Sequence, residues 1–105
     1  MRRAFPQSIQ DADPADRARD LTTRAHRLRR KGELRRALVA LREACGLDEL
    51  HPARWLWLSC VLGLLGKRDE AAQAMKQALY LRQKNGEKGK ADVIRGLLLQ
   101  LGRAY

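Results

Sequence analysis

The fold of this chain is decided by residues 52–84, which read PARWLWLSCVLGLLGKRDEAAQAMKQALYLRQK. Pro52 suits the first turn of a helix, and the residues after it are apolar nearly all round, which is typical of a buried helix. Gly66 ends that helix, and Asp69 and Glu70 favour the start of the next one. The second helix carries an apolar stripe at i, i+3 and i+4 spacing, formed by Ala71, Ala74, Met75, Ala78 and Leu79. Residues 52–84 therefore predict two helices, over about 52–65 and 69–84, joined by a tight turn.

The preceding residues repeat this pattern. Asp13 can cap a helix that runs from Pro14 to about Lys31, Gly32 stops it, and a second helix follows over about 34–45 before Gly46. Compared with itself at an offset of 34 residues, the chain pairs residues of similar size. The pairs are Ala25 and Ser59, Leu28 and Leu62, Gly32 and Gly66, Ala37 and Ala71, Leu41 and Met75, and Ala44 and Ala78. The repetition predicts two helical hairpins of one design.

The two ends of the chain complete the predicted organisation. Residues 1–13 lack periodicity and are interpreted as a flexible N-terminal arm, followed by a helical domain over 14–105. After Asn85-Gly86 a fifth helix is predicted over about 88–103. One face of this helix carries Ile94, Leu97, Leu98, Leu101 and Tyr105. Because no segment alternates with a period of two residues, the predicted fold class is all-α.

The period and the residues of the second hairpin resemble the tetratricopeptide repeat, whose signature is W-x2-L-G-x2-Y, then A-x3-F, then P. The chain keeps Trp55, Leu58 and Ala71 at the matching positions. The departures are Ser59 for Gly, Leu62 for Tyr, Met75 for Phe and Gln83 for Pro. The resemblance implies repeat units over about 18–51 and 52–85 and a C-terminal capping helix over 86–105. It thereby implies an α-solenoid of helical hairpin repeats.

In the resembled family, the first helix of each hairpin lines a concave face that binds peptides or partner proteins. The residues expected on that face here are Arg19, Thr22, His26, Arg29 and Arg30 of the first helix, Leu56, Cys60 and Leu64 of the third, and Lys90 of the fifth. Such a face is basic at its N-terminal end and apolar in the middle, which suits a protein segment that is acidic and partly apolar. Two alternatives stay open at this point. The apolar residues can instead pack against the last helix, and the basic ones can form an ordinary solvated surface.

The charge of the chain bounds the class of partner. The formal net charge is +10, from 22 Lys and Arg against 12 Asp and Glu. The densest stretch, 24–36, has seven basic side chains and only Glu33 opposing them. Such a surface attracts acidic proteins, nucleic acid or anionic lipid regardless of sequence. Because no recognition-helix motif, zinc finger or interleaved aromatic residue accompanies the arginines, nucleic acid is the second choice.

The sequence offers no pattern typical of catalysis. His26, Cys45, His51 and Cys60 do not fall at zinc-site spacings, and no glycine motif for phosphates or dinucleotides is present. Two cysteines in apolar helical contexts favour reduced thiols and a cytoplasmic protein. The longest apolar run, of 12 residues over 55–66, is too short to span a membrane, and no signal peptide is visible. We therefore expect neither an enzyme nor a cofactor or metal site.

The resulting hypothesis is a small adaptor or scaffold protein that binds another protein in a groove running from basic to apolar. Self-association is a corollary, because so few repeats leave apolar end faces uncovered. The alternative is a nucleic-acid-binding or nucleic-acid-associated regulatory protein that uses the basic face of the first repeat.

Overall fold

The computed structural model describes residues 13–103, which form five α-helices and no strand. The helices are α1 (Pro14–Arg30), α2 (Leu34–Leu47), α3 (Pro52–Leu64), α4 (Arg68–Lys84) and α5 (Lys88–Arg103). Each helix packs against the next one along the chain, and the molecule extends over 59 × 34 × 18 Å. The all-α fold class is confirmed.

Three of the four connections are the same glycine turn. Gly32, Gly66 and Gly86 have φ of 80°, 77° and 72°, in the left-handed region that glycine enters without a steric penalty. In each turn the next backbone N–H reaches back five residues to a helix carbonyl, from 33 to 28, from 67 to 62 and from 87 to 82. This bond satisfies carbonyls that the end of a helix would otherwise leave unpaired. The helix stops expected at Gly32 and Gly66 are therefore confirmed.

The helix starts also follow the sequence. The Asp13 carboxylate accepts a hydrogen bond of 3.0 Å from the Ala15 backbone N–H, and Pro14 and Pro52 occupy the first turns of α1 and α3. Gly46 differs from its expected role, because α2 continues through it to Leu47 and ends with the Asp48 N–H on the Ala44 carbonyl. Gly46 is not among the positive-φ glycines, so its backbone stays helical and does not stop the helix.

The core lies inside and between the two hairpins, α1–α2 and α3–α4. The small residues that the 34-residue offset pairs are all buried, which lets the helices of each hairpin approach closely. They are Ala25 and Ser59, Ala37 and Ala71, and Ala44 and Ala78. Larger side chains, including Leu28, Leu41, Leu58 and Leu62, fill the space around them.

Helix α5 packs against α4 with a narrower face than expected. Ala91 and Ile94 are buried and Leu101 packs on the core, whereas Leu97 is exposed. Leu97 therefore lies off the packed stripe on which it was expected. Tyr105 lies outside the described residues, as does all of the expected N-terminal arm except Asp13.

Candidate functional site

Helices α1 and α3 meet along a face that is partly open to solvent. The ring of His26 on α1 contacts the ring of Trp57 on α3, with centroids 4.7 Å apart and planes at 83°. This is the edge-to-face geometry that aromatic pairs prefer. Trp57 is nonetheless 36% exposed, so one side of the indole is free to contact a partner. His26, Trp57 and the exposed residues beside them on both helices are called the α1–α3 face below.

A second histidine lies near Trp57. His51, in the loop between α2 and α3, has its ring centroid 6.3 Å from that of Trp57. Burial lowers the pKa of both histidines, and the charges of Arg29 and Arg30 lower that of His26 further. Since the ordinary value is 6.5, both rings are neutral at pH 7. The two imidazoles near the indole are therefore uncharged and gain charge only in acid.

Below this face, a buried arginine joins the two hairpins. Arg54 on α3 is only 5% exposed, although a charged side chain is almost never buried unless it is paired. Its Nε donates to the Thr22 hydroxyl at 3.0 Å, and its Nη1 donates to the Asp48 carboxylate at 2.6 Å. Thr22 in turn donates to the Ala18 carbonyl at 2.7 Å. The guanidinium thus fixes α3 to both α1 and the α2–α3 loop.

This network corrects the expected role of Thr22. The sequence placed Thr22 on an open binding face, but it is buried, with its hydroxyl bonded inside the protein. Sequence reasoning also missed Arg54, because an arginine beside two tryptophans is not distinguishable from a surface residue by spacing alone. The available signal was its position in a helix that is otherwise apolar, where a charged residue needs a buried partner.

The other basic residues expected at the site are exposed. Arg19 forms an ion pair of 2.9 Å with Asp16 one turn earlier, so much of its charge is neutralised locally. Arg29 and Arg30, by contrast, form no ion pair with any of residues 13–103. Arg30 lies one turn after His26, on the same side of α1. Arg29 lies three residues after His26, and its charge lowers the pKa of His26 more than that of Arg30 does.

The apolar residues expected on α3 differ in exposure. Leu64 is 59% exposed and Cys60 is exposed, whereas Leu56 is partly buried. Cys60 and Leu64 follow Trp57 at intervals of three and four residues, so they share one side of the helix. Of the two alternatives from the sequence, packing against the last helix fails for Cys60 and Leu64. They extend the apolar surface that begins at Trp57.

Lys90 is exposed at the start of α5, with its Nζ 3.4 Å from the Glu87 carboxylate. Glu87 also accepts two hydrogen bonds of 3.0 Å from Arg82, which lower the pKa of its carboxyl. Lys90 therefore belongs to a local charge cluster at the α4–α5 turn. No contact connects it to His26 or Trp57 among those described.

Residues 13–103 contain no cluster of three or more His, Cys, Asp or Glu side chains that could hold a metal ion. Burial raises the pKa of the Cys45 thiol to about 12, which leaves it protonated and unreactive. None of the helices in 13–103 combines the length and the apolar character that crossing a membrane requires.

Comparison with protein-family models and with curated proteins gives no match. The functional conclusion therefore depends on the chain's own residues.

Proposed function

We propose that this protein is a small helical-repeat adaptor that binds a segment of another protein on its α1–α3 face. The repeat assignment is supported by two hairpins with the same glycine turn and the same buried small residues, 34 positions apart. This construction is similar to that of tetratricopeptide repeats. In this proposal α5 acts as the capping helix.

The observation that carries the binding proposal is the exposed edge of Trp57. A tryptophan held on one side by His26 and open on the other presents a large, rigid surface at little cost in side-chain entropy. Tryptophan and arginine are the residues most often found at the energetic centre of protein interfaces. Arg30 on one side and Leu64 on the other extend this surface from basic to apolar. A ligand segment with acidic and apolar residues matches both parts.

Affinity purification of the full chain, followed by mass spectrometry, tests this proposal. Trp57→Ser and Leu64→Ser should each lose a partner that the wild-type chain retains. Tyr80→Ser is the matched control, because Tyr80 is an exposed aromatic residue on a different helix, α4. Loss of the same partner from the Tyr80 variant, or its retention by both face variants, would show that the α1–α3 face does not bind it.

Nucleic-acid binding is the second candidate function. The basic residues in the second half of α1 form no ion pair with other residues of 13–103. They are Arg24, Arg27, Arg29 and Arg30. Binding through phosphates should weaken steeply as salt rises, by about one power of the salt concentration for each phosphate contacted. A titration of DNA and RNA against the wild-type chain and an Arg29→Glu, Arg30→Glu variant measures this. Binding that the double substitution leaves unchanged would exclude a role for this cluster.

A further inference from the structure

The first hairpin has an apolar groove on the side that faces away from α3. The groove lies between α1 and α2 and has a volume of about 360 Å³. Its floor is formed by Leu21, Leu28, Val39 and Ala40. Val39 is 66% exposed, which is unusual for a β-branched residue on a helix that packs on both sides. Leu21 and Leu28 are seven residues apart, so the floor extends over about 10 Å, or two helical turns.

The second hairpin has an equivalent groove, which is also partly open and has a volume of about 370 Å³. That groove is lined by Trp55, Gln73, Ala74 and Gln77, which are 34 residues after Leu21, Val39, Ala40 and Glu43. On the second hairpin, Leu58 and Leu62 are buried in the core cluster that α3 shares with α2. Of their equivalents on the first hairpin, Leu28 belongs to the same core cluster, whereas Arg24 is exposed at the edge of the open groove. In the second hairpin, therefore, a neighbouring helix covers the position that is open in the first.

The charges around the two grooves are opposite. On the second hairpin, Glu70 forms an ion pair with Arg42 of the helix that covers it, α2. The equivalent of Glu70 on the first hairpin is Arg36, and Arg35 takes the place of Asp69. Arg24 and Arg35 form no ion pair with any of residues 13–103, whereas Arg36 is paired with Glu33 at 2.6 Å and Glu43, which also lines the groove, is paired with Arg17. A helix covering the first groove thus has to supply acidic side chains where α2 supplies an arginine.

This charge reversal argues against two occupants from the same chain. A second copy carries the same net charge of +10, so it does not supply the acidic surface that this groove requires, and like charges repel. Residues 1–12 carry Arg2 and Arg3 against one acid, Asp11, so they also lack the required charge.

We infer that the α1–α2 groove is a docking site for an acidic amphipathic helix of another protein. The helix would insert apolar side chains spaced at i, i+3 or i+4, and i+7 between α1 and α2, and it would direct Asp or Glu toward Arg24, Arg35 and Arg36. The aliphatic parts of the arginines would cover its edges. The apolar floor favours protein over nucleic acid, because none of its residues is an aromatic platform for a base. This site is separate from the α1–α3 face and does not depend on that face's function.

The test uses a fluorescent peptide derived from α2, the helix that packs on the equivalent side of the second hairpin. The acidic probe has the sequence 34–47 with Arg35, Arg36 and Arg42 changed to Glu and Cys45 changed to Ser. The basic probe has only the change at Cys45. Fluorescence anisotropy with the full chain measures both affinities. We expect the acidic probe to bind about tenfold more tightly than the basic one.

Charge exchange makes the test specific. The Arg35→Glu, Arg36→Glu protein should bind the acidic probe about tenfold more weakly than the wild type does. It should bind the basic probe more tightly than the acidic one. Val39→Glu should abolish binding of the acidic probe, and its exposed position leaves the fold intact. The matched control is Lys84→Glu, Lys88→Glu, which changes the net charge equally at the α4–α5 end.

Several outcomes would overturn the inference. Failure of the acidic probe to bind is one, and equal weakening of its binding by the control and the groove variant is another. A dimer in sedimentation that Val39→Glu dissociates would assign the groove to a second copy. Tighter probe binding after removal of residues 1–12 would assign it to the chain's own N-terminal segment. Displacement of the probe by a DNA duplex, together with DNA binding that Val39→Glu does not change, would assign the surface to nucleic acid.

Discussion

Helices α1 and α3 occupy equivalent places in their hairpins, but their outer residues differ in character. The side of α3 that carries Arg54 and faces the first hairpin also carries Leu58, Val61 and Leu65. These residues belong to the core or pack against it. The residues 34 positions earlier on α1 are Arg24, Arg27 and Lys31, all exposed. The same positions are therefore apolar where another hairpin covers them and basic where none does. On the side that packs inside each hairpin, the two helices are alike, because both carry a small buried residue that close packing requires.

The comparison teaches that the two hairpins share a framework and differ in their surfaces. A basic surface at the exposed end disfavours stacking of further copies, since like charges would meet there. An apolar surface at the joint holds the hairpins together. Variants at equivalent positions, and a change of pH, test this difference between the two hairpins in order of decreasing expected effect.

Arg54→Ala should give the largest effect, because it removes one half of a buried ion pair and leaves Thr22 and Asp48 without their shared donor. We expect the free energy of unfolding to fall by about 3 kcal/mol. The control is Asp20→Ala, at the exposed equivalent position on α1, which should change it by less than about 0.5 kcal/mol. Urea unfolding followed by circular dichroism measures both variants. Equal effects at the two positions would contradict the asymmetry between the helices.

Gly32→Ala and Gly66→Ala should destabilise the protein by similar amounts, because both residues have positive φ and no other atom within 4 Å of an added Cβ. The backbone strain alone predicts a loss of about 1 kcal/mol at each position. Gly63→Ala is the control, because Gly63 lies inside α3 with equal space around it. It should gain about 1 kcal/mol from its better helix propensity. Thermal unfolding of the three variants tests the prediction, and a large difference between Gly32 and Gly66 would show that the turns are not equivalent.

Acid should loosen the joint between α1 and α3. The folded state lowers the pKa of His26 and His51, so the unfolded chain binds protons more readily as the pH falls below their ordinary value of 6.5. Stability is therefore fully present well above pH 6.5 and decreases as the pH falls below that value. Urea midpoints over this range, with Trp57 fluorescence in a Trp55→Phe background, report the loss. The double variant His26→Gln, His51→Gln should flatten the profile. Titration of the Glu87 carboxyl does not contribute to this loss of stability, because its pKa is lowered from 4.5.

The exposed ion pair between Arg42 and Glu70 should have the smallest effect. Both side chains are about half exposed, so solvent screens their attraction. Arg42→Glu should reduce the free energy of unfolding by less than about 1 kcal/mol, and adding Glu70→Arg should restore it. Chemical unfolding at low and high salt tests this, since the difference should shrink in high salt. A loss that salt leaves unchanged, or one that the second substitution does not restore, would contradict a simple surface pair.

Most of the framework is predictable from the sequence because it depends on local rules. The glycines at 32 and 66, the prolines at 14 and 52 and the cap at Asp13 act within a few residues of themselves. The end of α2 was misplaced at Gly46 because a glycine can also remain helical when nothing requires a positive φ. The fifth helix was located correctly, but Leu97 was assigned to the wrong side of it. Which stripe is buried depends on its packing partner, α4.

The candidate site was predictable in its composition and not in its geometry. The exposed basic and apolar residues on α1 and α3, including Arg30 and Leu64, were found by helical spacing. Thr22 was misassigned, and the buried Arg54 and the contact of Trp57 with His26 were not foreseen. These features depend on residues that are about 30 positions apart in the chain and come together only when the two hairpins dock.

By itself, the sequence determined that this protein is helical, where most of its helices begin and end, and that its two hairpins follow one plan. Helix periodicity, caps and glycine turns are set by neighbouring residues, so one chain is enough to show them. Only the tertiary structure decided which charges are buried, which are paired and which surfaces stay open. The contact between the two hairpins buries Arg54 and Leu58. The first hairpin has no helix on its outer side within residues 13–103, so its groove, lined by arginines, stays open. Burial and ion pairing are properties of the space around a residue, and docking of the hairpins creates that space.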